Sequence, residues 1–363
     1  MLKSFTARNF RNLDIKSAKF YPGIVTILGN NGQGKTNLIE AIHLLSYGKP
    51  FRTNKDQAIN WNKEKAYVAG ETDKNNIELI LGREIDTKIL LDGKKKKTSV
   101  LLGKFVSVLF HPEEIEIVGG APTLRRAWLD KLISTVDKNY LFNLISYHKS
   151  LKNKNILLKT FPKQTSQITI WNKNLSKFGT AVWLTRKNVI DELNKALPKM
   201  ATRFMGKSLY IEYENPYQGT VTKKAEEHYF NKLESDASLE ERFHATIFGP
   251  HRDDFNIIVE EIKQTSITQK LLSQYGSRAE QRQAVFLLKM AEAKIFNEFY
   301  KETPTLLLDD IASELDQKNR ETLFTNLSAR QIFVTTTSID LIPSQIRKRS
   351  QVFKMENGKL AVS

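Results

Sequence analysis

The chain has 363 residues, 40% of them apolar, which suits one large or two ordinary domains and excludes the disordered and fibrous classes. Lys and Arg outnumber Asp and Glu by 56 to 40, a formal charge of +16, and such a surplus favours a polyanionic partner, nucleic acid ahead of an anionic membrane surface. The absence of cysteine excludes disulfides, zinc-thiolate sites and cysteine nucleophiles; with no apolar leader at the N-terminus and no run of about 18 apolar residues, a soluble cytoplasmic protein is expected.

Leu2 to Phe20 alternates as a hairpin does. Tyr21-Pro22-Gly23 then turns the chain into Ile24-Val25-Thr26-Ile27-Leu28, a β-branched apolar run of the kind a buried parallel strand requires. Behind a glycine-rich loop, Leu38, Ile39, Ala41, Ile42, Leu44 and Leu45 mark a helix with a broad buried face. Residues Tyr67 to Leu102 read as a β-meander with a turn at Asp92-Gly93. From Pro122 to His244 the chain becomes helical and rich in Lys and Asn, with long stretches from Trp128 to Ser150 and from Ile168 to Leu197. These helices are too short, and their heptads too irregular, for a long coiled-coil arm. Strand character returns at Phe255 to Val259, Leu306 to Leu308 and Ile332-Phe333-Val334-Thr335. The expected organisation is an α/β domain formed by residues 1–121 and 245–363, a mixed sheet with helices and a flanking antiparallel meander. A helical lobe, residues 122–244, is inserted in it.

The loop Gly29-Asn30-Asn31-Gly32-Gln33-Gly34-Lys35-Thr36 matches Gly-x4-Gly-Lys-Thr between a strand and a helix, the order a phosphate-binding P-loop needs. Its glycines let backbone N–H groups curl around a β-phosphate. Lys35 offers a charge to the β/γ-phosphates, Thr36 a hydroxyl to Mg²⁺, and the helix that starts there, through Asn37, its positive N-terminal end. ATP and Mg²⁺ are the expected cofactors. Thr305-Leu306-Leu307-Leu308-Asp309-Asp310 is a buried strand ending in acid. Asp309 is expected to orient the metal, and Asp310 to stand where a base polarises the attacking water. The gap from Lys35 to Asp309 far exceeds one βαβ unit, so something large lies between the two halves of the site.

Tyr275-Gly276-Ser277-Arg278-Ala279-Glu280-Gln281-Arg282 precedes a helix whose Leu287, Ala291, Ile295 and Phe299 recur at four-residue spacing. Ser277 there has two readings, a helix N-cap or a group that meets a γ-phosphate. In ABC-type ATPases that phosphate belongs to the other protomer, and Ser313-Glu314-Leu315-Asp316 resembles the short dimer-contacting loop of the same class.

With Asn9-Phe10-Arg11-Asn12, Pro50-Phe51-Arg52, Phe110-His111-Pro112-Glu113, Arg125-Arg126, Leu129-Asp130, Gly249-Pro250-His251-Arg252-Asp253-Asp254 and Thr335-Thr336-Thr337, the chain resembles the RecF family over nearly its whole length. That family is the recombination and repair ATPases related to SMC and Rad50 heads. The resemblance implies a cytoplasmic, DNA-binding, weakly hydrolysing DNA-dependent ATPase that dimerises on ATP. It also implies work with RecO and RecR to help load RecA at gaps, and support of the SOS response. Two departures from the wider class stand out. Relatives usually carry Gly in the signature stretch where this chain has Ala279. Many ABC ATPases have Glu and His where Asp310 and the Thr triplet stand here.

Lys94-Lys95-Lys96-Lys97 beside the Asp92-Gly93 turn reads as a solvated hairpin tip or as a phosphate grip. Arg125 and Arg126 open the helical lobe, where a cation invites a phosphate or carboxylate partner or, equally, forms an inter-lobe ion pair; both arginines and the four lysines are the candidate DNA contacts. No helix-turn-helix, zinc finger or stacking motif is present, so backbone and shape are the expected readout. Arg52 is read as a sensor linking DNA to nucleotide or as a structural ion pair. Three other functions compete: the ATPase subunit of a membrane transporter, a small-acceptor P-loop kinase, and a nucleotide-gated DNA-binding module without hydrolysis.

Overall fold

A computed structural model describes every residue except 162–164, 215–221, 264–265, 315–316, 328 and 363. The chain forms two compact units, one from residues 1–114 and 289–363, the other from 115–288.

The first unit opens with strands β1 (Leu2–Phe10), β2 (Leu13–Lys19) and β3 (Gly23–Leu28), then helix α1 (Lys35–Tyr47). The meander follows as β4 (Lys65–Thr72), β5 (Asn76–Gly82), β6 (Lys88–Leu91) and β7 (Lys94–Lys96), and β8 (Ser107–Phe110) comes next. After β9 (Ser208–Tyr213), β10 (Phe255–Lys263) and β11 (Ser266–Leu271) of the second unit, the chain returns through β12 (Thr305–Leu308), β13 (Gln331–Thr336), β14 (Ser350–Glu356) and β15 (Lys359–Val362).

Two six-stranded sheets result. One is antiparallel, in the order β2-β1-β4-β5-β6-β7, with buried and exposed residues alternating along β1, β4 and β5, as one covered face demands. The other has the order β15-β14-β3-β13-β12-β8 and is parallel except for β15. Its β8, β12 and β13 are buried at every position, which requires cover on both faces and explains their unbroken runs of non-charged residues. Helix α1 packs against strands of both sheets, and accordingly Leu38 to Ser46 are all buried. Gly70 in β4 makes room for it, since a Cβ there meets Leu45 Cδ1 at 2.5 Å. Gly48, in the left-handed region, ends the helix by donating its N–H to Leu44 O at 2.7 Å.

In the second unit the helices Lys138–Thr160 and Thr165–Met205 pack along one another, and β9 joins the sheet β11-β10-β9. The boundaries therefore fall at 114/115 and 288/289, not at 121/122 and 244/245. Register pairing of β9 with β10, Ile211 opposite Ile257, draws residues beyond 245 into the helical unit. At its centre Arg186, 2% exposed, donates to Asp130, to Asp253 Oδ2 at 3.0 Å and to Pro250 O at 2.7 Å. Asp253 also accepts from Trp183 Nε1 at 2.7 Å and Tyr213 OH at 2.5 Å. His251 Nδ1 bonds Tyr147 OH at 2.6 Å and Nε2 bonds Thr246 O at 3.0 Å; burial lowers its pKa to about 4, so the ring stays neutral. Pro250, His251 and Asp253 of the Gly249–Asp254 string thus pack into the centre of this unit, while Arg252 is exposed.

One expectation about the Arg278–Tyr300 helix fails. Leu287 and Ala291 are buried, but Phe299 is 56% exposed and Phe296 takes the buried place. A four-residue step overshoots the helical turn by about 40°, so a strict i+4 stripe leaves the buried face within three steps.

Candidate active site

β3 sits at the middle of its sheet, between β13 and β14, and delivers the glycine loop at its C-terminal end. Gly34 caps α1 with φ 109°, a conformation an L side chain resists, and a Cβ there meets Asn12 Oδ1 at 2.8 Å. Helix α1 has no side-chain N-cap bond and no acid in its first turn, so its first amides, which have no intrahelical partner, are available to an anion. Lys35 Nζ bends back to Gly29 O at 2.7 Å and Asn30 O at 3.1 Å. Burial lowers its pKa, against the pull of Asp310 and Asp309.

Asp309, 1% exposed, ends β12 at the centre of a small hydrogen-bonded set. Its Oδ1 accepts from Thr36 Oγ1 at 3.1 Å and Thr335 Oγ1 at 2.8 Å, and its Oδ2 lies 3.0 Å from His111 Nδ1. Burial works against charge on His111, but the bond to Asp309 and that carboxylate's charge prevail and raise its pKa. Among the described residues no group of three or more His, Cys, Asp or Glu could hold a metal alone. Thr36 and Asp309 fit Mg²⁺ as hard oxygen donors already in mutual reach, with the remaining ligands left to phosphate and water. Asp310 adopts φ 52°, and its N–H donates to Thr335 Oγ1 at 2.9 Å. Its Oδ1 is buried without a hydrogen-bond partner among the described residues.

The loop is supported from far along the chain. Asn12 Nδ2 donates to Gln33 O at 3.3 Å. In the β14–β15 turn, Gly358 N–H donates to Gln33 O at 2.9 Å and Asn357 N–H to Gln33 Oε1 at 2.7 Å. Gly29 is tight against Met355 O, where a Cβ comes within 2.6 Å.

The expected residues Gly29 to Asn37, Asp309 and Asp310 all gather here. Arg52 donates to Glu40 Oε2 at 3.0 Å, and its second side-chain partner is Asn37. Glu40, fully buried in α1, also pairs with Arg11; burial pushes its pKa up, but the two arginines outweigh that and hold it below the ordinary value. Ser277 belongs to the second unit and caps the Arg278–Tyr300 helix: its Oγ accepts from Glu280 N–H at 3.2 Å while Glu280 accepts from Ser277 N–H at 2.9 Å. Ala279 is exposed on that first turn. Of the dimer-contact loop, Leu315 and Asp316 lie outside the described residues.

Lys94 to Lys96 form the exposed edge strand β7, paired across the Asp92-Gly93 turn, with Lys97 following. Arg125 is corrected as a DNA contact. It is 8% exposed and grips Asp254 with two bonds, Nε to Oδ1 at 2.6 Å and Nη2 to Oδ2 at 2.7 Å. Arg126, half-buried, donates through Nη1 to Asp253 O. Sequence reasoning assigned no role to His111, Thr335, Glu40 or Asn12. His111, Thr335 and Asn12 stood in strings that carried the family resemblance, and Glu40 is an acid in a mostly apolar helical run.

A P-loop and an acidic strand end brought together on a mixed sheet, flanked by an antiparallel sheet, define an ABC-type ATPase head. The chain matches the RecF/RecN/SMC N-terminal domain family over residues 1–361. It is 34% identical to the DNA replication and repair protein RecF of Clostridium perfringens over 371 aligned residues, covering 99% of both chains. It is also 34% identical to that of Caldanaerobacter subterraneus subsp. tengcongensis, covering 93% of this chain and 94% of the relative. The solved recombination mediator protein RecF with ATP, of the RecFOR pathway, superposes with a TM-score of 0.91 at 32% identity, covering 100% of this chain and 97% of that one. An SMC head from Pyrococcus furiosus shares the fold at a TM-score of 0.53 and 15% identity. The chain belongs to the RecF family.

Proposed function

We propose that this chain is an ATP-dependent DNA-binding repair protein in which Mg-ATP joins two copies into a clamp on DNA. The observation that carries the nucleotide half is Asp309, held at once by the P-loop Thr36, by Thr335 and by His111. When bound, Mg²⁺ supplies positive charge to the triphosphate. The chain's own residues do the rest. Backbone amides of the loop and the α1 terminus bind the phosphates, and Lys35 leaves its two loop carbonyls for phosphate oxygen. Asp310 stands where a carboxylate takes a proton from the attacking water as that water bonds the γ-phosphate, and its short reach suits slow turnover. Support for DNA comes from the +16 charge and from the relatives, named as DNA replication and repair proteins. RecO and RecR as partners, help in RecA loading and support of the SOS response extend the same reading. Among the described residues no helix is long and apolar enough to cross a membrane.

Sedimentation with and without Mg-ATP and DNA tests it. A dimer is expected only with ATP, and Lys35→Met stays monomeric. Wild type that remains monomeric at saturating Mg-ATP with DNA present overturns the clamp.

A further inference from the structure

Trp61 is 93% exposed, the highest value among the large apolar side chains of the described residues. An indole so fully in water is informative in a way a scattered surface leucine is not. Its backbone is fixed. Lys63 N–H donates to Asn60 O at 3.0 Å, closing a turn with Trp61 at its second position. Asn60 N–H donates to Asn9 O at 2.8 Å and its Nδ2 to Arg11 O at 2.9 Å. The Arg83 guanidinium reaches three carbonyls under the turn: Lys63 O at 3.1 Å, Asp56 O at 3.2 Å and Asn60 O at 3.2 Å. Trp61 therefore stands on a rigid pedestal, with the ordering cost of its backbone already met by the fold.

The surroundings are polar and mixed in charge: lysines predominate, but Glu64, Glu84 and Asp86 are exposed among them, and Asp86 lines the same groove as Lys96 and Lys97. Lys63 and Lys65 flank the turn in sequence and are exposed. Lys55, next to the Asp56 that Arg83 holds, donates to Ile85 O at 2.5 Å and lines a groove of about 570 Å³ together with Lys49, Lys96 and Lys97. Platform and groove are thus joined through 55–56 on one side and 83–86 on the other. A rigid aromatic turn joined through the chain to a lysine-rich groove matches a strand that offers a π-face and phosphates together, although Ile85 in the joining segment is 37% exposed.

We propose that Trp61 is a stacking platform for an unpaired base, with the phosphates of the same strand running along the lysine groove. This rests on the DNA-binding reading and sharpens it toward single-stranded or frayed DNA. The turn that receives Asn60 also carries Arg11, which is paired with Glu40 in α1, so the platform is tied to the helix of the nucleotide site.

The test is anisotropy titration of the full chain with a labelled single strand, the same strand with an abasic tract, and a blunt duplex. Trp61→Ala is expected to weaken the intact strand about tenfold and to leave the abasic strand and the blunt duplex unchanged, with Trp61→Phe restoring most of the loss. Lys96→Gln with Lys97→Gln instead flattens the dependence of log affinity on log salt by about 1.4. Wild type and Trp61→Ala binding the intact strand within twofold of each other overturns the platform. If duplex binding survives in that case, DNA binding stands and the indole faces a protein partner. If wild type binds none of the three probes, the DNA reading falls and the platform falls with it.

Discussion

Each unit is organised around one buried aspartate, and the two are held in opposite ways. Asp253 accepts from an arginine, a tryptophan and a tyrosine, all packed inside the second unit. Asp309 accepts from two threonine hydroxyls and faces a histidine, beside a loop whose Asn30, Asn31 and Gly32 are exposed. A guanidinium and an indole in a filled core cannot be exchanged for another ligand without opening it, whereas the half-buried hydroxyl of Thr36 can turn to a metal or phosphate at small cost, with the buried Thr335 left in place. The first arrangement holds a shape; the second waits for a ligand.

Breaking the rigid centre gives the largest effect. Arg186→Ala leaves two acids, Asp130 and Asp253, without their cation, and chemical denaturation is expected to register a loss of about 3–5 kcal/mol. Asp309→Asn keeps the shape of the side chain, so folding changes little while Mg-ATP affinity collapses in calorimetry. If it instead unfolds the protein as Arg186→Ala does, the contrast between the two centres is wrong. Asp310→Asn is expected to slow ATP turnover at least about 10²-fold with nucleotide affinity retained, as loss of a base should. Equal turnover in wild type and the variant removes Asp310 from the chemistry.

Smaller effects sharpen the picture. Ser277→Ala removes a helix cap and should cost about 1 kcal/mol. Glu280 in the same cap is partly buried, which raises its pKa, but bonds from Lys270, Ser277 and Lys207 bring it down to about 2. A depressed folded pKa gives stability that is present above the unfolded value and lost as pH falls. The loss should therefore run from about pH 4.5 down toward pH 2, and Glu280→Gln should flatten that limb of a pH titration of thermal stability. Trp61→Ala, at a fully solvated tip, should leave stability within about 0.5 kcal/mol.

Much of the first unit was legible because its signals are local. A β-branched run, a glycine loop and an amphipathic helix follow one another in 20–45, and Leu306 to Asp310 carries its acid at a strand end. What was hidden depends on partners far apart in sequence. Nothing in Phe110-His111 announces Asp309, 198 residues on, and nothing at Arg125 announces Asp254. Tertiary pairing also moved the unit boundary, since β9 lacks a strand partner until residue 255 is reached. The Gly249–Asp254 string was visible as a mark of kinship, but the partners that Pro250, His251 and Asp253 find inside the second unit have no short-range signature.

The β14–β15 turn has a consequence for synthesis. The glycine loop is translated early, but Gln33 is clasped by Asn357 and Gly358, and Gly29 rests on Met355. A ribosome-bound chain that has not yet released those residues carries the motif without the frame that shapes it. Nucleotide capture is thereby postponed until residues 355–358 have been made and have folded onto the loop.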